Sequence, residues 1–288
     1  MKIEEKHEET HNFLSEIILY DMKSLCTAIL FWVSFVLNGK PDVPLAYQFV
    51  FGPSPQRVRH MKAANLFDAS QQQIDLAEAA AKGDTNRMQS LIAQGADLNF
   101  EGHRGMRPLF WALINQNAAG FKFLLDQGAD ANALLNITKP PCDNALTLAV
   151  LLEDSSYVEE LLKHGADPNV VVGRYSQHPP LFIASTYEYT NDIVVLLKYG
   201  AKIDWQRSET GNTLMQEAVH SGSCVMALFL YNAGADPLIK NRRGVSVVDD
   251  VKRAKDIEDI FSKADREACK KLMEIFQEKG LLNKLEMK

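Results

Sequence analysis

At 288 residues and 46% apolar content, the chain has the length of one or two domains and the composition of a folded protein. A net charge of −6 argues against nucleic acid as a partner. The four cysteines Cys26, Cys142, Cys224 and Cys269 show no C-x-x-C spacing, which argues against a zinc site and leaves the redox compartment open.

Residues 1–21, within a polar tail of residues 1–23, are acidic and contain His7-Glu8-Glu9-Thr10-His11. That is H-E-x-x-H, a spacing that puts two imidazoles on one helix face with a glutamate as base. No third ligand or cleft-forming domain accompanies it, so it reads as solvated tail. Residues 24–39 carry no charge. They are slightly short for a membrane span and suit the apolar region of an export signal. Met22-Lys23 stands directly before them, so a start at Met22 would give the signal its positive region and make residues 1–21 an upstream extension. Leu37-Asn38-Gly39 is a poor cleavage site. A signal, an uncleaved anchor and a helix buried on the rest of the fold are the three readings. Pro41, Pro44, Pro53 and Pro55 mark residues 40–73 as a linker.

From residue 74 onward a seven-residue phrase recurs. It reads Leu91-Ile92-Ala93-Gln94-Gly95-Ala96-Asp97 and returns at Leu124–Asp130, Leu161–Asp167, Leu196–Lys202 and Leu230–Asp236. Its glycines are 33, 37, 35 and 34 residues apart, the period of a stacked repeat. Physically, two apolar residues end an amphipathic helix, glycine takes a left-handed conformation just beyond it, and Ala-Asp starts a turn. A second block, Met106-Arg107-Pro108-Leu109-Phe110-Trp111-Ala112, has relatives ending at Ala149, Ala184 and Ala218. From the block's alanine to the first apolar residue of the phrase is twelve residues every time. Insertions are therefore excluded from the helix pair, as stacking on neighbours requires. Length varies only between the glycine and the next block: 14 residues from Gly95 to Leu109, 18 from Gly128 to Leu146, 16 from Gly165 to Leu181. The long loops, Leu134 to Asp143 and Val170 to His178, fall on the edge where repeat proteins commonly carry a binding face. A further repeat starts at Gly244, with a turn enlarged by the charged stretch Lys252 to Arg266. A closing helix has Ala268, Leu272, Ile275 and Phe276 at helical spacing. The expected fold is all-α: a solenoid of about five helix-turn-helix repeats over 74–240, closed by a capping repeat over 241–288.

No motif for catalysis stands out, neither G-x-S-x-G nor a phosphate-cradling glycine loop nor a cysteine–histidine pairing. A binding module without enzyme activity, metal or cofactor is expected.

The two in-phase blocks resemble the ankyrin repeat, with its T-P-L-H-x-A helix start and G-A-D turn, over about residues 74 to 250. No repeat carries an intact T-P-L-H. The resemblance implies a concave surface that holds another protein. Positions two and three after the motif alanine then face the groove: Ile114, Asn115, Leu151, Leu152, Thr186, Tyr187, His220 and Ser221. The finger turns add His103, Arg104, Lys139, Arg174, Tyr175, Arg207, Arg242 and Arg243, with Trp205 also on a turn. A cation on nearly every finger of an acidic chain suits an acidic partner surface, since arginine and aromatics anchor interfaces. The plainer reading is a set of solvated turns. Trp111, after Phe110 on the inner helix, is expected in the core.

A narrower likeness lies in Ala77-Glu78-Ala79-Ala80-Ala81-Lys82-Gly83-Asp84, Pro108–Leu113 and Asn241–Ser246 behind an apolar leader. It is similar to bacterial ankyrin proteins of the cell envelope, several of which resemble immunity proteins against phospholipase effectors of type VI secretion. That likeness implies a monomer facing the periplasm, free or anchored in the inner membrane, that binds and occludes a lipase-type toxin. The alternatives are a general ankyrin scaffold or host-directed effector, cytoplasmic in location, and a metalloenzyme built on His7, Glu8 and His11.

Overall fold

The structure is a computed structural model that describes residues 63, 67, 70–135, 143–171, 178–254 and 262–282. Twelve helices run through these residues as six helix-turn-helix pairs. They are α1 (Gln71–Lys82) with α2 (Thr85–Ala93), α3 (Pro108–Ile114) with α4 (Ala118–Asp126), and α5 (Ala145–Val150) with α6 (Ser155–Lys163). Next come α7 (Pro180–Thr186) with α8 (Thr190–Lys198), α9 (Leu214–His220) with α10 (Cys224–Asn232), and α11 (Val247–Ala254) with α12 (Lys263–Glu278). First helices stack on first helices from α1 to α11, and α2, α4, α6 and α8 stack likewise. The expected all-α solenoid forms. Lys252 and Arg253, expected in the turn before the last helix, lie in the last turn of α11, and the other end of that charged stretch, from Lys263 to Arg266, lies in α12.

The recurring phrase is a helix stop. In each copy the glycine has a φ between 85° and 106°, and the alanine after it donates its N–H to the carbonyl of the phrase's first leucine. For Gly165 and Ala166 that bond to Leu161 is 3.0 Å. This is the six-to-one bond of a glycine-terminated helix. Open space surrounds the absent Cβ of all five glycines, so backbone conformation alone selects the residue. The alanines are almost fully covered, and the leucines Leu124, Leu161, Leu196 and Leu230 are completely buried.

Polar residues fix the other ends. Asp84, Asn117, Asp154 and Ser223 cap α2, α4, α6 and α10 by accepting N–H bonds from Arg87, Gly120, Ser156 and Met226. Asn144 with Thr147, and Thr213 with Gln216, form reciprocal capping boxes on α5 and α9. Pro108 and Pro180 open α3 and α7, where a missing N–H costs nothing.

The turn inside each of the first five pairs holds a left-handed residue. Gly83 and Gly222 supply it at the two ends of the array, but Gln116, Glu153 and Glu188 hold φ values of 53°, 58° and 60° in the middle. Each costs roughly 1 kcal/mol relative to glycine.

The fingers are laced together by a ladder that runs from repeat to repeat. Asn99, Asn132 and Asn169 each accept, at 2.8 Å, the N–H of Asp130, Asp167 and Lys202 in the following turn. Asn132 and Asn169 also donate to the carbonyls of Gly165 and Gly200. Asp204 takes the same place and accepts from the Asp236 N–H at 2.9 Å. Around the first long loop, β1 (Leu134–Leu135) pairs antiparallel with β2 (Asp143–Asn144).

The capping helix α12 packs on α10 through Leu272 and Phe276, both fully buried, and a disulfide joins Cys224 to Cys269 with Cα atoms 5.2 Å apart. The H-E-x-x-H tail and residues 24–39 lie outside the described residues. Among the described residues, no helix is long and apolar enough to cross a membrane, and no cluster of metal-ligating side chains occurs.

Candidate protein-binding face

The groove positions divide by burial. Ile114 and Leu151 are core residues, 1% and 5% exposed, and not groove-facing as the repeat pattern suggests. An isoleucine or leucine at that position gains about 2 kcal/mol by turning into the stack, and the stack has room for it. Asn115, Thr186, His220 and Ser221 are exposed, and Leu152 is half-buried. Three of these polar groups bond their own helix. Asn115 donates to the Trp111 carbonyl, Thr186 to Phe182 and Ser221 to Ala218. Tyr187 is exposed and lies parallel to Tyr189, with ring centroids 5.6 Å apart. Trp111 is buried, as expected.

The fingers behave less uniformly than their shared cations suggest. His103 is exposed in a short 3-10 turn, His103–Gly105, which also holds Arg104. Lys139, Arg174 and Tyr175 lie outside the described residues. Arg207 is held in place. Its guanidinium lies 3.3 Å from Glu217 and 3.4 Å from Glu209, and its central carbon is 5.8 Å from the ring centre of Phe182. Arg242 and Arg243 are exposed and, among the described residues, pair with no carboxylate. The backbone beneath them is rigid: the Arg242 N–H donates to Thr210, and Asn241 donates to Asn212 at 2.8 Å.

What the structure brings together is a cluster at the fourth finger. His178 stacks on Phe182 at 3.8 Å, nearly parallel, and Trp205 stands edge-on to both rings at 5.6 Å. His178 is buried, and this burial, helped by the positive charge of Arg207, lowers its pKa and keeps it neutral. The result is a half-exposed aromatic wall with a fixed cation beside it. Trp205 and Arg207 were legible as finger residues, whereas His178 and Phe182 were not. Their signal was Phe182 standing where the repeat pattern has a histidine, directly after a long loop that ends at His178.

The cluster continues toward the cap. Glu217 also accepts from Asn212 at 2.9 Å, and His220 lies 3.2 Å from Asp250. The Asp250 hydrogen bond raises the His220 pKa. Burial opposes ionisation of Asp250, but bonds from His220 and Gln216 prevail and lower its pKa. Stability from the imidazolium is therefore present below an unfolded pKa of about 6.5 and lost as pH rises through the folded value; that from Asp250 is lost in acid. His220→Ala is expected to cost about 0.5–1 kcal/mol at pH 5.5 and close to nothing at pH 8.5, read from urea unfolding at the two pH values.

Comparison with known proteins bears on the whole array. The model for ankyrin repeats, three copies long, matches residues 76–172 and again 146–241. The chain belongs to the ankyrin repeat family. Protein PhlB of Serratia liquefaciens is 36% identical over 97 residues, covering 34% of this chain and 40% of that one. The palmitoyltransferase akr1 of Neurospora crassa is 35% identical over 98 residues, 33% of this chain and 13% of its own. The ankyrin repeat and KH domain-containing protein mask-1 of Caenorhabditis elegans is 28% identical over 178 residues, 62% of this chain and 6% of its own. The chain spans well under half the length of each of these relatives. Ankyrin arrays are ordinarily non-catalytic, and the repeat array makes the chain a protein-binding module.

Proposed function

We propose that this ankyrin module is an immunity protein that binds and occludes a lipase-type toxic effector of the type VI class at the bacterial cell envelope. The observation that carries the reading is the Phe182–His178–Trp205 wall with Arg207 fixed against it. Large aromatics and a pre-positioned arginine are the groups that dominate binding energy at protein interfaces. Arg242 and Arg243 on the next finger extend the cationic edge toward an acidic partner surface. The likeness to Protein PhlB of Serratia liquefaciens supports a bacterial setting. The Cys224–Cys269 disulfide supports an oxidising compartment such as the periplasm. Residues 24–39 serve as export signal or inner-membrane anchor in this reading, and a full-length product washed free of membranes by carbonate would remove the anchor. A general scaffold is the second reading, favoured by the fungal and nematode relatives matched through their repeats.

The test is inhibition of a cognate lipase-type effector by the purified chain, with affinity measured by calorimetry. Trp205→Ala and Arg207→Ala are each expected to weaken binding about 30-fold, some 2 kcal/mol. Arg242→Ala with Arg243→Ala serves as a variant whose fold is not at risk, and is expected to slow association and lessen its salt dependence. Full effector activity in the presence of excess chain would sink the immunity reading.

A further inference from the structure

From the second repeat onward, the position four residues before the phrase's first leucine faces the packed interior; in the first repeat it is the exposed Arg87, paired with Asp75. Tyr157 fills it in the third repeat and Met226 in the fifth, at 4% and 2% exposure. In the fourth repeat the residue is Asp192, 2% exposed, and neither of its carboxylate oxygens has a hydrogen-bond partner. The charges that act on it, from Asp154 and Glu153, are both negative. A carboxylate in such a place without a partner is among the most costly arrangements a fold can carry. Asp192 also sits in the first turn of α8, whose leading residue Tyr189 offers no side-chain cap.

The surroundings form a receptor for positive charge. The negative charges of Asp154 and Glu153 in the preceding repeat act on Asp192; Glu153 holds its left-handed turn at φ 58° and accepts the hydroxyl of Tyr189, the residue that leads into α8, at 3.2 Å. Glu188 occupies the corresponding turn one repeat on and accepts from Ser223. The stacked rings of Tyr187 and Tyr189 stand over this edge, and Tyr187 is exposed to solvent. Aromatic faces beside carboxylates attract ammonium and guanidinium groups. The other charged side chains on the packed helices, Glu159, Lys163 and Lys198, pair with one another farther along.

We propose that the turns of the third and fourth repeats receive a lysine or arginine side chain from a basic segment of a protein partner, its cation meeting the exposed Glu153 beside the Tyr187–Tyr189 stack, with the buried carboxylate of Asp192 adding negative charge behind it. This surface is separate from the finger cluster, and it does not depend on the partner's being a lipase-type effector. Asp192 then trades stability of the free chain for binding, a strain that functional sites characteristically hold.

A hexa-arginine peptide titrated into the full-length chain by calorimetry tests the proposal without any effector. Asp192→Asn is expected to weaken peptide binding at least tenfold while raising the Tm. Burial and the neighbouring Asp154 and Glu153 push the Asp192 pKa up to about 7, from an ordinary 3.8. The gain in Tm should therefore be least near pH 4 and greatest above pH 7. Tyr187→Ala, at an exposed site, should weaken binding severalfold with Tm unchanged. Glu267→Gln, an acidic surface position on the cap, should change nothing. The proposal is overturned if Asp192→Asn binds as well as the original chain, or if Glu267→Gln weakens binding equally. It is also overturned if calcium chloride, and not the peptide, stabilises the chain in an Asp192-dependent way.

Discussion

Reduction of the Cys224–Cys269 bond, or replacement of both cysteines by alanine, is expected to lower the unfolding free energy by about 4 kcal/mol. The bond closes a loop with a sequence separation of 45, and the chain-entropy relation for a loop of that length gives about this value. For a folded unit of this size that is a fall in Tm of about 8–16 °C. The location of the loss is also determined. Cys224 opens α10 in the last regular repeat, and Cys269 lies in the capping helix α12. Without the bond, α12 keeps Leu272, Phe276, the edge contact of Phe276 with Tyr231, and the Asp265 carboxylate on the Val225 N–H. Those contacts leave it docked but free to open locally, exposing the end of the stack. Thermal unfolding with and without reductant checks the magnitude, and hydrogen exchange in α12 checks the location. The double alanine variant should be indifferent to reductant. An unchanged Tm for the original chain in reductant would contradict the expectation.

How much of this was legible in the sequence depended on whether a residue's role was local or relational. The phrase around Gly165 encodes a helix stop in its own backbone requirement, so its five copies announced the array and its register before any fold was known. The capping residues Asp84, Asn117, Asp154 and Ser223 are equally local. Ile114 and Leu151 were misplaced because a repeat pattern specifies which way a position points in an average repeat. Their actual direction was decided by the space beside them. The disulfide was illegible for the same reason: Cys224 and Cys269 meet only because the cap folds back on α10, and cysteine spacing does not encode that. The asparagine ladder stood two residues beyond each Ala-Asp pair in three copies, yet its bonds are to the next repeat. Of the candidate site, Trp205 and Arg207 were visible by residue type. His178 and Phe182 became partners only when the second long loop returned to the start of α7.

Asp192 shows the same relation from the other side. In its own repeat it is an ordinary acidic residue in the first turn of a helix, where the dipole favours it. Only alignment with Tyr157 and Met226, both packed inside, shows that the chain places a carboxylate where the other repeats from the second to the fifth place apolar bulk or nothing.

Gly120 is the member of that series with nothing, and Gly120→Ala is expected to destabilise the chain by about 3 kcal/mol. The sign opposes helix propensity, which favours alanine over glycine by about 1 kcal/mol in a helix interior. Packing decides against it. A Cβ at Gly120 would lie 1.9 Å from the Ala80 carbonyl oxygen and 2.8 Å from its carbon, both backbone atoms of α1. Ala80 is fully buried, so α1 must move as a body to relieve the overlap. Moving it separates α4 from α1 and pulls on Leu76 and Leu109, which fill the core around them. Urea unfolding gives the free energy, and the circular dichroism of the folded baseline shows whether α1 stays helical. Replacing the exposed neighbour Ala119 with glycine supplies the control, with a loss of at most about 1 kcal/mol from propensity alone. Equal stability of Gly120→Ala and the original chain would mean that α1 yields without cost, and that the close approach of α4 is not what fixes the first two repeats against each other.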